Sequence, residues 1–210
     1  MLELETPHGL ARVHLRLVDS PVAGLVLGHG AGGGVESPDL VGAAEAARSA
    51  AISVALVEQP YRVAGRRAPA PAHQLDESWA SVVQSLRVGS FGEMALIVGG
   101  RSSGARVACR TAGETGAIAV LCLAFPLHPP GRPERSRLPE LDAVRVPTLV
   151  VQGRSDSFGV PPAGQTRTVT LIPGTHSLRS GAAVGAAVAD WLPKLDIGER
   201  RRRPLTGRRE

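Results

Sequence analysis

Apolar and polar positions along the chain fall into two alternating rhythms. Residues 11–18 set Ala11, Val13, Leu15 and Leu17 against polar partners, the period of a half-exposed strand. Residues 23–28, 52–57, 94–99, 117–125, 146–152 and 167–172 are short, mostly apolar runs that predict buried strands. Between them the spacing lengthens to that of helices. Pro38 opens an alanine-rich helix over 38–50. Residues 74–87 bring Leu75, Ser78, Trp79, Val82 and Leu86 near one face. Further helices are expected over 103–112, briefly near 138–144, and over 180–192 with Val184, Val188, Trp191 and Leu192 inward. No internal repeat interrupts this order.

Strands that are apolar on both faces, separated by helices, predict an α/β fold with a mostly parallel central sheet covered by helices on both sides. In such sheets ligands bind beyond the carboxyl ends of the strands. The loops that follow strands are therefore where chemistry is expected.

One such loop carries Gly100-Arg101-Ser102-Ser103-Gly104, a match to G-x-S-x-G between a predicted strand and a predicted helix. In that context Ser102 is a candidate nucleophile held at a sharp turn. The plainer alternative is a strand-to-helix turn in which Ser102 caps the helix. A serine hydroxyl needs a base, and the base needs a group to orient it. Gln152-Gly-Arg-Ser-Asp156 follows the next-to-last strand, and Gly174-Thr-His176-Ser follows the last. The order serine, acid, histidine makes Asp156 the candidate orienter and His176 the candidate base. His128 is the rival base and Asp142 a weak rival acid. His8, His14 and His73 have no helical ligand spacing, so no metal site is expected.

The turn Gly28-His29-Gly30-Ala31-Gly32-Gly33-Gly34 follows another strand and admits two readings. In the first, the backbone N–H of Ala31 joins that of Ser103 in an oxyanion hole. In the second, Gly28, Gly30 and Gly33 spell the dinucleotide fingerprint G-x-G-x-x-G, with Glu58 as the ribose-binding acid. The second leaves the serine, acid and histidine unexplained. A phosphate-binding Gly-Lys-Ser/Thr is absent.

Composition changes this picture in two places. The chain has 210 residues and a net charge of +5, and its basicity invites a nucleic-acid partner. However, residues 199–210 hold six arginines and two glutamates, so they carry all but about +1 of that charge. The basic stretch reads as a disordered tail on a nearly neutral domain over 1–198. Non-specific binding of polyanions is expected of the tail, and no specific nucleic acid of the domain. Aromatic residues are only 3%, too few for a base-stacking platform. Secondly, Cys109 and Cys122 sit inside apolar segments and read as reduced core thiols. The chain shows neither a signal-peptide pattern nor an apolar run of bilayer length, which predicts a soluble cytoplasmic protein without membrane insertion. Its oligomeric state is not readable.

Together, His29-Gly-Ala-Gly-Gly, Gly100-Arg-Ser-Ser-Gly, Gly153-Arg-Ser-Asp and Gly174-Thr-His-Ser resemble the motifs of the α/β-hydrolases. The resemblance covers about residues 10–193. It is strongest to the small dienelactone-hydrolase-like branch, and within it to bacterial relatives of the hydrolase-like subunit of a histone acetyltransferase complex and of a testis-expressed protein. It implies an eight-strand-like hydrolase sheet pared down to its core, no cofactor, and a nucleophile, acid and base on Ser102, Asp156 and His176; the short loops over 61–67 and 128–132 leave little room for a lid. Dienelactone hydrolases proper use a cysteine where this sequence has Ser102. The expected activity is hydrolysis of small esters or thioesters through an acyl-enzyme. The competing expectation is a catalytically silent binding or scaffold protein on the same fold, since the chromatin-associated relatives are better regarded as scaffolds. Short arginine-bearing loops flank the predicted serine; Arg62, Arg66 or Arg67 is a candidate for attracting an anionic ester or acid, the plainer alternative being a solvated basic loop, and His128 joins Arg62 and Arg66 as a candidate substrate-binding residue.

Overall fold

The computed structural model describes residues 1–197; the arginine tail expected over 199–210 lies outside the described residues. The described chain forms β1 (Leu2–Thr6), β2 (Gly9–Arg16), β3 (Ala23–Gly28), α1 (Pro38–Ser49), β4 (Ile52–Glu58), α2 (Pro60–Val63) and α3 (Ala72–Val88). There follow β5 (Ala95–Arg101), α4 (Ser103–Thr111), β6 (Ala119–Leu123), α5 (Leu138–Asp142), β7 (Thr148–Gly153), β8 (Arg167–Ile172) and α6 (Gly181–Trp191), closed by a 3-10 turn over Leu192–Lys194. The strands make one sheet in the order β1-β2-β4-β3-β5-β6-β7-β8. It is parallel from β4 to β8, and β2 runs antiparallel to both β1 and β4.

The apolar runs are continuous because both faces of the sheet are covered. Val26, Val57, Val98, Val120 and Val150 pack with α3, α4 and α5 on one side. The alternating residues Leu27, Leu56, Ile97, Leu121 and Val151 pack with α1 and α6 on the other. All the inward positions expected of the 74–87 and 180–192 helices are buried. Cys109 of α4 and Cys122 of β6 are buried free thiols with sulfurs 3.5 Å apart.

Three features correct the sequence reading. Leu2–Thr6 is a strand, paired with β2 across a turn at Pro7-His8, although no element is expected before residue 11. The half-exposed strand runs over Gly9–Arg16 rather than 11–18, because Gly9 at φ +111° begins it and the hairpin register fixes it against β1. The arginine-bearing loop after β4 contains the one-turn helix α2, too short to carry a period. Between β6 and β7 the described chain holds only the five-residue α5, so no helical lid stands over the strand ends there.

Candidate active site

At the carboxyl end of β5 the chain turns into α4 through Ser102, which sits at φ +50° and ψ −106°. A non-glycine residue in this region is strained, and it persists only where the surroundings over-determine it. Here the Ser102 N–H donates to Leu123 O of β6 at 2.8 Å. The backbone on either side is packed against β3. A Cβ at Gly100 would lie 2.5 Å from Gly28 O, and one at Gly104 would overlap the same carbonyl. The glycines that flank Ser102 are thus a steric requirement of bringing α4 and β5 onto β3, and the hydroxyl is left pointing off the strand ends.

Two further strand-end loops reach this hydroxyl. After β8, His176 brings Nε2 to 2.9 Å from Ser102 Oγ. After β7, Asp156 brings Oδ2 to 2.9 Å from His176 Nδ1. A carboxylate accepts only, so Nδ1–H donates to it and Nε2 is the acceptor facing the serine O–H. The Asp156 side chain is fully buried, and the His176 side chain is 17% exposed. The buried carboxylate is held by two more donors. Phe158 N–H donates to Oδ1 at 2.8 Å, and Gln152 Nε2 donates to Oδ2 at 2.7 Å. The Phe158 ring then stacks on His176 with centroids 4.1 Å apart.

The glycine turn is set by His29. Its ring is buried, Nδ1–H donates to Gly30 O at 2.8 Å, and Nε2 accepts from Gln59 N–H at 3.1 Å. Burial, with the nearby Arg62 cation, holds the His29 pKa below its ordinary value and so favours this neutral form. Tyr61 of α2 donates its hydroxyl to Ala31 O at 3.0 Å, and burial pushes its pKa up to about 12. These contacts place Gly30 against the elbow, where a Cβ would lie 3.6 Å from Ser102 Cβ. Among the described residues, the N–H groups of Ala31 and Ser103 donate to no other backbone or side-chain group.

The structure brings Ser102, His176 and Asp156 into one hydrogen-bonded chain, with Gly30, next to Ala31 in the chain, packed against Ser102. The other candidates stand apart. His128 bonds Pro129 O through Nδ1 and packs against Gly159, with no hydrogen bond to Ser102 or Asp156 among the described residues. Asp142 pairs with Arg167 at 3.0 Å. Glu58 is engaged by His14 at 3.1 Å and Arg12 at 3.7 Å, and the glycine turn leads to a helix that starts only at Pro38; both observations disfavour a dinucleotide site. Arg62 lies close enough to His29 and Tyr61 to influence both. Arg66 lines a separate cavity of about 250 Å³ with Tyr61, Gln59 and Leu75.

Several residues of the site escape the sequence reading. Gln152 is the one that carries a signal, being the only side chain in β7 with an amide among apolar neighbours. Arg101 donates from Nε to the fully buried Asp39 at 2.7 Å and from Nη2 to His176 O at 3.3 Å. It thereby ties the elbow, α1 and the histidine loop together, which nothing local in the sequence announces. Among the described residues no cluster of histidine, cysteine and acidic side chains is placed to hold a metal ion. Among them, too, no helix is long and apolar enough to cross a membrane.

The model of an alpha/beta hydrolase domain matches residues 21–187. No curated protein matches the sequence at a significant level. Solved structures similar to this one include an a/b serine hydrolase without lid from Xanthomonas campestris, 23% identical, with a TM-score of 0.69 over 91% of this chain and 94% of that one. A ferulic acid-bound Est1E from Butyrivibrio proteoclasticus is 15% identical, with a TM-score of 0.72 over 93% and 99% of the two chains. A dienelactone hydrolase from Anabaena variabilis is 17% identical, with a TM-score of 0.73 over 92% and 96%. At these identities the structures speak for the fold.

Proposed function

We propose, for a chain that belongs to the alpha/beta hydrolase domain family, a soluble cytoplasmic serine hydrolase that cleaves small esters or thioesters through an acyl-enzyme. The observation that carries this reading is the unbroken chain from Ser102 Oγ through the His176 ring to the buried Asp156 carboxylate, at 2.9 Å and 2.9 Å.

In this reading Ser102 Oγ forms a bond to the substrate carbonyl carbon while its proton passes to His176 Nε2. The carbonyl electron pair moves onto oxygen, which the N–H groups of Ala31 and Ser103 stabilise; each such donor is worth roughly 10²–10³ in rate. The tetrahedral species collapses, the bond from carbon to the alcohol or thiol breaks, and His176 returns the proton to that leaving group. Water then repeats the sequence on the acyl-enzyme and releases the acid. Asp156 stabilises the imidazolium and keeps Nδ1 protonated. No cofactor takes part. Arg62, at the edge of the glycine turn, is the better placed of the candidate anion-binding residues; Arg66 and His128 contribute to the surrounding loops.

A panel of short-chain p-nitrophenyl esters tests the activity. Turnover by the wild type, reduced by on the order of 10⁴-fold or more in Ser102→Ala and in His176→Ala proteins that remain folded, is expected. Equal turnover in wild type and Ser102→Ala would contradict the proposal.

A further inference from the structure

Charge is segregated along the strand axis. Of the described arginines, ten form no ion pair, and eight of these lie in loops at the carboxyl ends of the strands. Three follow β4, three follow β6, and Arg154 and Arg179 follow β7 and β8. The acidic residues of the same loops are Glu134 and Asp156, the latter engaged by His176, and Glu36 in the loop after β3 pairs with Arg16. At the opposite end of the sheet the exposed Asp19, Glu93 and Glu114 form no ion pair among the described residues. A body whose net charge is close to zero therefore presents a positive face around Ser102. The N-termini of α1, α4 and α6 open onto that face and add to its potential.

A cleft of about 570 Å³ lies between the loops that follow β3 and β8. Gly32, Gly33, Ser37, Arg101, Ser177 and Arg179 line it. Two of these residues adjoin the candidate site in the chain: Arg101 directly precedes Ser102, and Ser177 directly follows His176. Arg101 is neutralised by Asp39 at 2.7 Å, whereas Arg179 is exposed and has no acidic partner among the described residues. Arg179 is thus the uncompensated cation of the cleft.

A lone carboxylate engages one or two guanidinium groups. Eight unpaired arginines spread over four loops match instead a ligand with several separated negative charges, and guanidinium forks match phosphate oxygens in pairs. We infer that this face binds a leaving group bearing several phosphate charges, seated in the Arg179 cleft and extending over the arginine rim. The inference rests on the serine-hydrolase reading for the substrate's role as acyl donor; the anion site itself does not. Cleavage of such a thioester releases the free acid and a phosphate-bearing thiol, with water as the co-reactant.

Acetyl-coenzyme A and acetyl-pantetheine present the same thioester with and without the phosphates. The expected kcat/KM ratio between them is at least about 10, falling toward 1 as salt is raised from 0.02 to 0.5 M, because rim electrostatics are screened over about a Debye length. Arg179→Gln lowers that ratio several-fold without abolishing it, while Arg145→Gln, at the opposite end of the sheet, leaves it unchanged. Independently of turnover, Ser102→Ala binds coenzyme A in calorimetry, and Ser102→Ala/Arg179→Gln binds it more weakly. Hydrolysis of both thioesters at a salt-independent ratio near 1 would overturn the anion site and leave the hydrolase reading intact. Coenzyme A binding with no hydrolysis of either thioester or of neutral esters would do the reverse.

Discussion

Gln152 Nε2 donates to the same carboxylate oxygen of Asp156, Oδ2, that His176 engages, at 2.7 Å. The amide is fully buried and also lies within bonding distance of Phe125 O and Gly159 O, so the NH₂ group faces a ring of acceptors. Gln152 is therefore a positioning residue: it fixes the carboxylate that fixes the imidazole.

Replacing it by leucine removes a hydrogen bond to a charged group, worth about 1.5–3 kcal/mol. The expected result for Gln152→Leu is a fall in kcat of about 10- to 100-fold with KM little changed. A rise in KM at constant kcat would show that Gln152 shapes the substrate site instead.

Tyr61 is the chain's single tyrosine, so its titration can be followed alone. Burial raises its pKa to about 12, against about 10 in the unfolded chain. Its protonated form therefore favours folding, and that contribution is lost as pH rises from about 10 through about 12. Absorbance at 295 nm of the native protein is expected to show little phenolate at pH 10.5. Half-titration near pH 10 while the fold persists would place the Tyr61 hydroxyl in solvent.

For His29 the sign is opposite. Burial lowers its folded pKa beneath the ordinary histidine value of about 6.5, so the unfolded chain takes up the proton first as pH falls. The stability contributed by neutral His29 is present above pH 6.5 and is lost on acidification below it. Urea midpoints measured from pH 7.5 to 5 are expected to fall for the wild type and to fall less steeply for His29→Gln. Equal slopes for the two proteins would contradict the assignment.

The elbow glycines make a sharper test of packing. Gly104→Ala drives a methyl group into the Gly28 carbonyl and is expected to cost about 3 kcal/mol or to prevent folding. At Gly113 a Cβ meets nothing within 4 Å, so Gly113→Ala is expected to be neutral or to stabilise by about 0.4–1 kcal/mol. Thermal melts of the two variants give the comparison. A tolerated Gly104→Ala would mean that α4 does not pack on β3 this tightly.

The sheet was legible in the sequence where a local rhythm is long enough to see. β3 through β8 and helices α1, α3, α4 and α6 fall where the apolar runs and helical spacings put them, within a few residues. β1 has the alternation of a strand in Leu2-Glu3-Leu4-Glu5, but it is only five residues long and depends on pairing with β2. In the site, Ser102, Asp156 and His176 were legible because each follows a strand end, which the fold brings to one edge. Gln152, Phe158, Arg101 and Asp39 were not. The contacts of Gln152 and Phe158 with Asp156 are local but depend on the fold of one irregular loop, and those of Arg101 span 62 and 75 residues of sequence. The Arg179 cleft has a long-range origin too, since its walls come from the loops after β3 and β8 and from the last residue of β5.

The central claim is that Ser102 is an activated nucleophile, and a fluorophosphonate probe reads this directly, whatever the natural substrate. Intact-mass measurement is expected to show one phosphonyl adduct per chain, mapped to the peptide that contains Ser102 and absent from folded Ser102→Ala. A folded wild-type protein that takes no label, or an adduct that persists in Ser102→Ala, would contradict the claim.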